Sequence, residues 1–234
     1  MLQTFAPGAA RRADLWEIVA AGLRRAIITG ELAPGLRLRE EVLAQKFAVS
    51  RIPVREALTR LEHEGFIRSE PRRGAFVVGM SPADVHEVYD VREMIETRAV
   101  RLAVERADRN DVDRLQHLID QMAAAVRRGR HADVVEPDVT FHRDIIAAAR
   151  HKRLLATWEP VSGVVAGLLE ITNTSHPNMP AAIATHQAIV DAMRAGDAQA
   201  AEKAVVQHLR NGERIMQIAL ARLRMPQDEA AAGG

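Results

Sequence analysis

The chain contains no cysteine, and this one absence removes a disulfide framework, a thiolate metal site and a cysteine nucleophile together. No apolar run approaches 18 residues, and Met1 to Arg12 carries no signal-peptide pattern. The sequence therefore predicts a soluble, cytoplasmic protein with no membrane association. Repeats and low-complexity segments are missing too. A net excess of either charge is nearly missing overall, the formal net charge being +1, but the balance is uneven: residues 1–79 hold 13 Arg or Lys against 9 Asp or Glu, and residues 80–234 hold 19 against 22. A basic head on a slightly acidic body fits a nucleic-acid footprint confined to the head. What is present is 234 residues, 47% of them hydrophobic, enough for two domains with a core each.

The densest information lies in Ser50-Arg51-Ile52-Pro53-Val54-Arg55-Glu56-Ala57-Leu58. Ser50 is placed to cap a helix by accepting a hydrogen bond from an orphan backbone N–H, and Arg51 and Arg55 share one face four residues apart. Upstream, Glu40 to Phe47 reads as a short amphipathic helix, with only Ala48-Val49 before the next one, as in a helix-turn-helix. The first residues of the second helix then enter the DNA major groove, where arginine pairs bidentately with guanine. An ordinary surface helix would carry the same two arginines, so the following residues decide. Gly65 ends the helix, Phe66 to Ser69 and Ala75 to Val78 read as two short strands, and Glu70-Pro71-Arg72-Arg73-Gly74 is the turn between them. A hairpin directly after a recognition helix is the wing of a winged helix, with Arg72 and Arg73 reaching phosphate or minor groove and Gly74 allowing close backbone approach.

These residues, with Gly30-Glu31-Leu32-Ala33-Pro34-Gly35-Leu36-Arg37-Leu38, Leu43-Ala44, Arg60-Leu61-Glu62 and Glu64-Gly65, resemble the GntR family of bacterial transcription regulators. Ile52 stands where that family usually has threonine, Glu41 where many members have a phosphate-contacting arginine, and Ala48 where a turn glycine is frequent. The resemblance implies a homodimer on a near-palindromic double-stranded DNA operator.

A domain boundary is expected near Gly79-Met80, giving a DNA-binding domain over 1–79, with 1–12 disordered, a second domain over 80–225, and a disordered tail over 226–234. Ser81-Pro82-Ala83-Asp84 is a helix start, and from there no strand signal occurs. Apolar residues recur at helical spacing over 82–107, 110–129, 132–150, 152–173, 178–195 and 197–223. The predicted fold is mainly α: a winged helix-turn-helix followed by an all-α bundle of about six helices. Trp16 and Trp158 read as packing residues.

In that bundle Asp138 and His142 share a helix face, His186 sits among Ile183, Ile189, Val190 and Met193, and His208 lies beside Val205 and Leu209. Facing helices of bundles assemble metal sites from such residues, and one carboxylate with three imidazoles suits zinc, with nickel, iron or manganese as chemical alternatives. The same pattern also suits hydrogen-bonded core histidines. Asp138-Val139-Thr140-Phe141-His142, His186 with Ile189 and Gly196-Asp197, and His208 resemble the FCD effector domain of the FadR-type GntR branch. That resemblance implies divalent-metal ligation by Asp138, His142, His186 and His208. It also implies a cavity for a small carboxylate such as an organic acid, a sugar acid or a fatty-acyl derivative, and repression relieved by that effector. Arg92 matches an arginine often pointed into the cavity, where its fork could grip a carboxylate, or it forms an ion pair with a nearby Glu; Asn173 is a further polar candidate. The metal could instead be purely structural. A metal-dependent hydrolase is the rival of another class, but no acid stands at a fixed helical offset as general base, and the winged head would have no purpose. The sequence predicts a regulator and no enzyme.

Overall fold

The computed structural model describes residues 15–224; the segments expected to be disordered, 1–12 and 226–234, lie outside them. The chain divides into two compact units, one reaching to Pro82 and also taking in the chain from Ile218, the other Ala83–Gln217.

The first unit contains α1 (Leu15–Ile28), β1 (Arg37–Leu38), α2 (Glu40–Phe47), α3 (Arg51–His63), β2 (Ile67–Glu70) and β3 (Gly74–Val77). The inward faces supply its core: Val19, Leu23 and Ile27 from α1, Leu43 and Phe47 from α2, and Val54, Ala57 and Leu61 from α3 are buried. Burying this apolar surface is the main drive for helices as short as α2. A buried fork also ties α1 to the end of α3: Arg24 donates from Nε and Nη2 to the two carboxylate oxygens of Glu64 at 2.8 and 3.0 Å. Gly65, at φ +79°, takes the left-handed conformation that ends α3 and turns the chain into the sheet.

The sheet has three antiparallel strands in the order β1-β3-β2, with Ile67 opposite Val77 and Glu70 opposite Gly74. The hairpin matches expectation with each strand one residue nearer the turn; β1 was not expected. Two residues show no alternation to detect, and Arg37–Leu38 forms a strand only because β3 offers an open edge opposite Phe76 and Ala75.

The second unit contains α4 (Pro82–Arg106), α5 (Arg109–Arg127), α6 (Val135–Ala148), α7 (Lys152–Ser175), α8 (Met179–Arg194) and α9 (Ala198–Arg224), whose end belongs to the first unit. All six expected helical segments are present. The segment expected to be one helix over 132–150 opens instead with a 3₁₀ turn, His131–Val134, which runs straight into α6. Asp108 and Asp111 form a reciprocal capping box at the start of α5. Helix α7 is long and apolar enough by composition to cross a bilayer, yet its Trp158, Val165 and Leu169 are buried with Ile95, Leu102 and Ile146 of α4 and α6. It is a core helix.

Candidate nucleic-acid interface and metal centre

In the first unit, α2 and α3 meet through a turn at Ala48, which adopts φ 53° and ψ 43°. A left-handed alanine costs roughly 1 kcal/mol, partly offset by the bonds its own N–H makes to the carbonyls of Ala44 and Gln45. Ser50 does occupy the N-cap position of α3 with extended backbone, but its side chain makes no capping hydrogen bond. That part of the expectation is corrected: the exposed hydroxyl is not turned back onto the helix.

Arg51 and Arg55 project from α3 with half or more of each side chain exposed, and both are held by one acid of α2. Glu40 Oε2 accepts from Arg51 Nε and Nη2 at 3.2 and 3.0 Å and from Arg55 Nε at 2.8 Å. Arg51 Nη1 lies 3.2 Å from Glu41. Desolvation would raise Glu40, but the bonds from the two arginines outweigh it and hold its carboxyl below the ordinary range. Arg51 is thus surrounded by acids, whereas Arg55 is held by its Nε and presents its terminal nitrogens.

At the wing tip Arg72 is exposed at φ 63° and Gly74 sits at φ +93°. Arg73 pairs with Glu70 and lies over the Phe76 ring, 5.4 Å from its centre. Arg37, from the unexpected β1, comes within 3.5 Å of where a Cβ on Gly74 would stand, an ordinary contact, so it is the positive φ and not crowding that favours glycine at the tip.

In the second unit α6, α8 and α9 bring Asp138, His142, His186 and His208 together, with one ligand-type atom from each lying within 4.8 Å of the others. Asp138 Oδ1 is 3.2 Å from Nε2 of both His142 and His186, and His208 Nε2 is 3.2 Å from His142 Nε2. Ligands about 2.0–2.1 Å from a zinc ion stand roughly 3.3 Å apart in a tetrahedron, so these spacings match a set that closes on one ion.

The other ring nitrogens reinforce the fit. His142 Nδ1 faces Glu96 Oε2 at 2.6 Å, and His186 Nδ1 faces the Ala182 carbonyl at 3.1 Å. His208 Nδ1 lies 2.8 Å from Thr185 Oγ1, whose own proton goes to the Ala182 carbonyl at 2.6 Å. Each Nδ1 therefore donates to an acceptor, which leaves the three Nε2 lone pairs converging on one another and on a carboxylate. Four acceptors at these distances repel unless a cation or proton lies among them. Burial pushes His208 well below the ordinary histidine range. Burial would also raise Asp138, but protons on the His186 and His142 rings, standing where a cation would lie among the four acceptors, draw it well below the carboxylate range.

Beside this cluster is a cavity of about 260 Å³, lined by Asp138, His186, His208, Arg92 and Asn173 among others. Both expected readings of Arg92 meet in one side chain. Its Nε donates to Glu96 Oε1 at 2.8 Å, while its Nη2 is buried without a hydrogen-bond partner, as is Nδ2 of Asn173. Burial alone would weaken the charge on Arg92, and Glu96 beside it more than restores it. Glu96 is the residue sequence reasoning missed. Its spacing from Arg92, one helical turn, was a signal for the ion pair but held nothing about His142, which is 46 positions away.

Family comparison agrees with both units. Residues 15–77 match the model described as bacterial regulatory proteins, gntR family, and residues 87–211 match the FCD domain. The RspR transcriptional repressor of Escherichia coli (strain K12) is 31% identical over 84% of this chain and 86% of its own length. The gluconate operon transcriptional repressor of Bacillus licheniformis is 35% identical over 66% of this chain and 63% of its own length. Among solved structures, E. coli McbR/YncC superposes with a TM-score of 0.70 at 23% identity, covering 86% of this chain and 96% of that one, a likeness of fold. The chain belongs to the GntR family of transcription regulators, in the group with a C-terminal FCD domain; it is a DNA-binding regulator and not an enzyme.

Proposed function

We propose that the protein is a cytoplasmic repressor that binds a near-palindromic operator as a homodimer and releases it when a small carboxylate binds the FCD domain. Residues 1–79 form its DNA-binding domain and 80–225 its effector-binding and dimerisation domain. On DNA, Arg51 and Arg55 read base edges in the major groove with the Ser50 hydroxyl on a phosphate, while Arg72, Arg73 and the backbone at Gly74 meet the phosphates or minor groove beside them.

In the body, Asp138, His142, His186 and His208 hold a divalent metal, zinc first on grounds of ligand type. A bound divalent ion supplies positive charge and open coordination positions for an effector carboxylate. Arg92 Nη2 and Asn173 Nδ2 supply the donors, and the cavity's about 260 Å³ falls below the roughly 300–1,000 Å³ of drug-sized sites, which favours a small acid over a fatty-acyl chain. Gluconate, in the name of one relative's operon, is a sugar acid of the right chemistry. The observation that carries this reading is the convergence of four acceptors on one point beside two buried, unpartnered donors. Effector and operator are coupled through their different affinities for two arrangements of the protein.

Elemental analysis of purified protein tests the first element: about one divalent ion per chain is expected, falling to a small fraction in His186→Ala at unchanged helicity. Full metal content in that variant would remove His186 from the site.

A further inference from the structure

Helix α3 carries an apolar side chain that its packing does not use. Pro53, Val54, Ala57, Leu58 and Leu61 face inward and are buried, yet Ile52 is 62% exposed, the highest value among the exposed large hydrophobics of the described residues. A β-branched residue in the first turn of a helix brings no helix propensity that would account for it. At about 100° per residue, Arg51 and Arg55, both oriented by Glu40, project on one side of Ile52 and Glu56 on the other, and Leu15 and Trp16 of α1 line the same groove as Ile52.

Whatever meets this surface must present acceptors for two guanidinium groups beside an apolar spot. The DNA major groove does so over two adjacent base pairs. Thymine carries a C5-methyl group beside its O4 acceptor, and guanine offers O6 and N7 on an adjacent pair.

We infer that Ile52 is a specificity-determining residue that packs on the C5-methyl of one thymine in each half-site, with Arg51 and Arg55 reaching base edges on one side of it. The inference rests on the assignment of α3 as the recognition helix. The preference is shape-based: the isoleucine makes no hydrogen bond, so it distinguishes thymine from bases lacking the methyl and leaves the polar readout to the arginines.

The test uses a duplex selected from random DNA by the full-length protein, in which each thymine is replaced in turn by deoxyuridine, removing only the methyl group. At one thymine per half-site, wild type should bind about fourfold more weakly, the ratio given by one buried methyl group. Ile52→Ala should bind thymine and deoxyuridine duplexes alike at that position, and Ile52→Thr, which keeps one γ-methyl, should fall between. Arg55→Ala on the same duplexes checks the underlying assignment. Loss of affinity there, combined with unchanged deoxyuridine sensitivity in Ile52→Ala, overturns this inference alone. Undiminished affinity in Arg55→Ala overturns the recognition helix itself.

Discussion

In the first unit a single carboxylate, Glu40, holds two arginines at the surface; in the second a single carboxylate, Glu96, holds an arginine and a histidine with almost no solvent access. The chemistry is alike and the consequences differ. Exposed ion pairs contribute about 0–1 kcal/mol because water and salt replace them readily, so Arg51 and Arg55 can leave Glu40 for phosphates and bases at little cost. Buried charges are strongly destabilising when a partner is removed, so Glu96 has strong reason to keep both of its bonds. One carboxylate is an exchangeable placeholder, and the other is a fixed link between the donor facing the cavity and a candidate metal ligand.

The largest effect that would break this contrast is at Arg55. Arg55→Ala should weaken specific operator binding about 5- to 150-fold, as expected for a base-edge contact of about 1–3 kcal/mol, read by fluorescence anisotropy on specific and random duplexes, with metal content unchanged by elemental analysis. Equal weakening on both duplexes would make Arg55 a phosphate contact only.

Replacing the same carboxylate by its amide in the two places sharpens the comparison. With Glu96→Gln the amide nitrogen meets His142 Nδ1 as a donor, so the ring must turn its lone pair that way and place its proton on Nε2. Metal affinity should fall about 10- to 100-fold, read by competition with a chromogenic chelator, and Glu96→Asp should recover part of it. Unaltered affinity would detach Glu96 from the site. Glu40→Gln should leave the thermal midpoint of the head nearly unchanged and raise affinity for random DNA a few-fold, with a salt slope steeper by up to about 1 as one anion is removed from the DNA-facing surface. Reduced affinity for random DNA would show that Glu40 aligns the arginines more than it screens them.

The smallest effect is at Ala48. Ala48→Gly relieves the left-handed strain but loosens the unfolded chain, so stability should rise by no more than about 1 kcal/mol, measured by denaturant unfolding, with DNA affinity retained.

Much of this was legible in the sequence because it is local. Helical periodicity located all six body helices, and the turn residues 70–74 located the wing. The four residues of the cluster were visible as types at helical spacing, Asp138 with His142 on one face and His186 and His208 on two others. What escaped was set by packing between distant segments. Strand β1 exists only because β3 pairs with it, and Ser50 shows the N-cap residue type without the cap bond. Glu96, Thr185 and the Ala182 carbonyl orient the histidines from α4 and α8, and no spacing rule connects α4 to His142 on α6. The acids that hold Arg51 are likewise on the other helix of the motif, so a basic face read from α3 alone hid its own counter-charges.

The most direct test of the metal-dependent sensor is a thermal-denaturation screen of organic and sugar acids against metal-loaded and metal-stripped protein. Ligand that binds only the folded state raises its midpoint by mass action. The account predicts that at least one small acid stabilises the loaded protein and does much less for the stripped one. An acid that stabilises both equally would place recognition on Arg92 and Asn173 alone and contradict the metal's part in sensing.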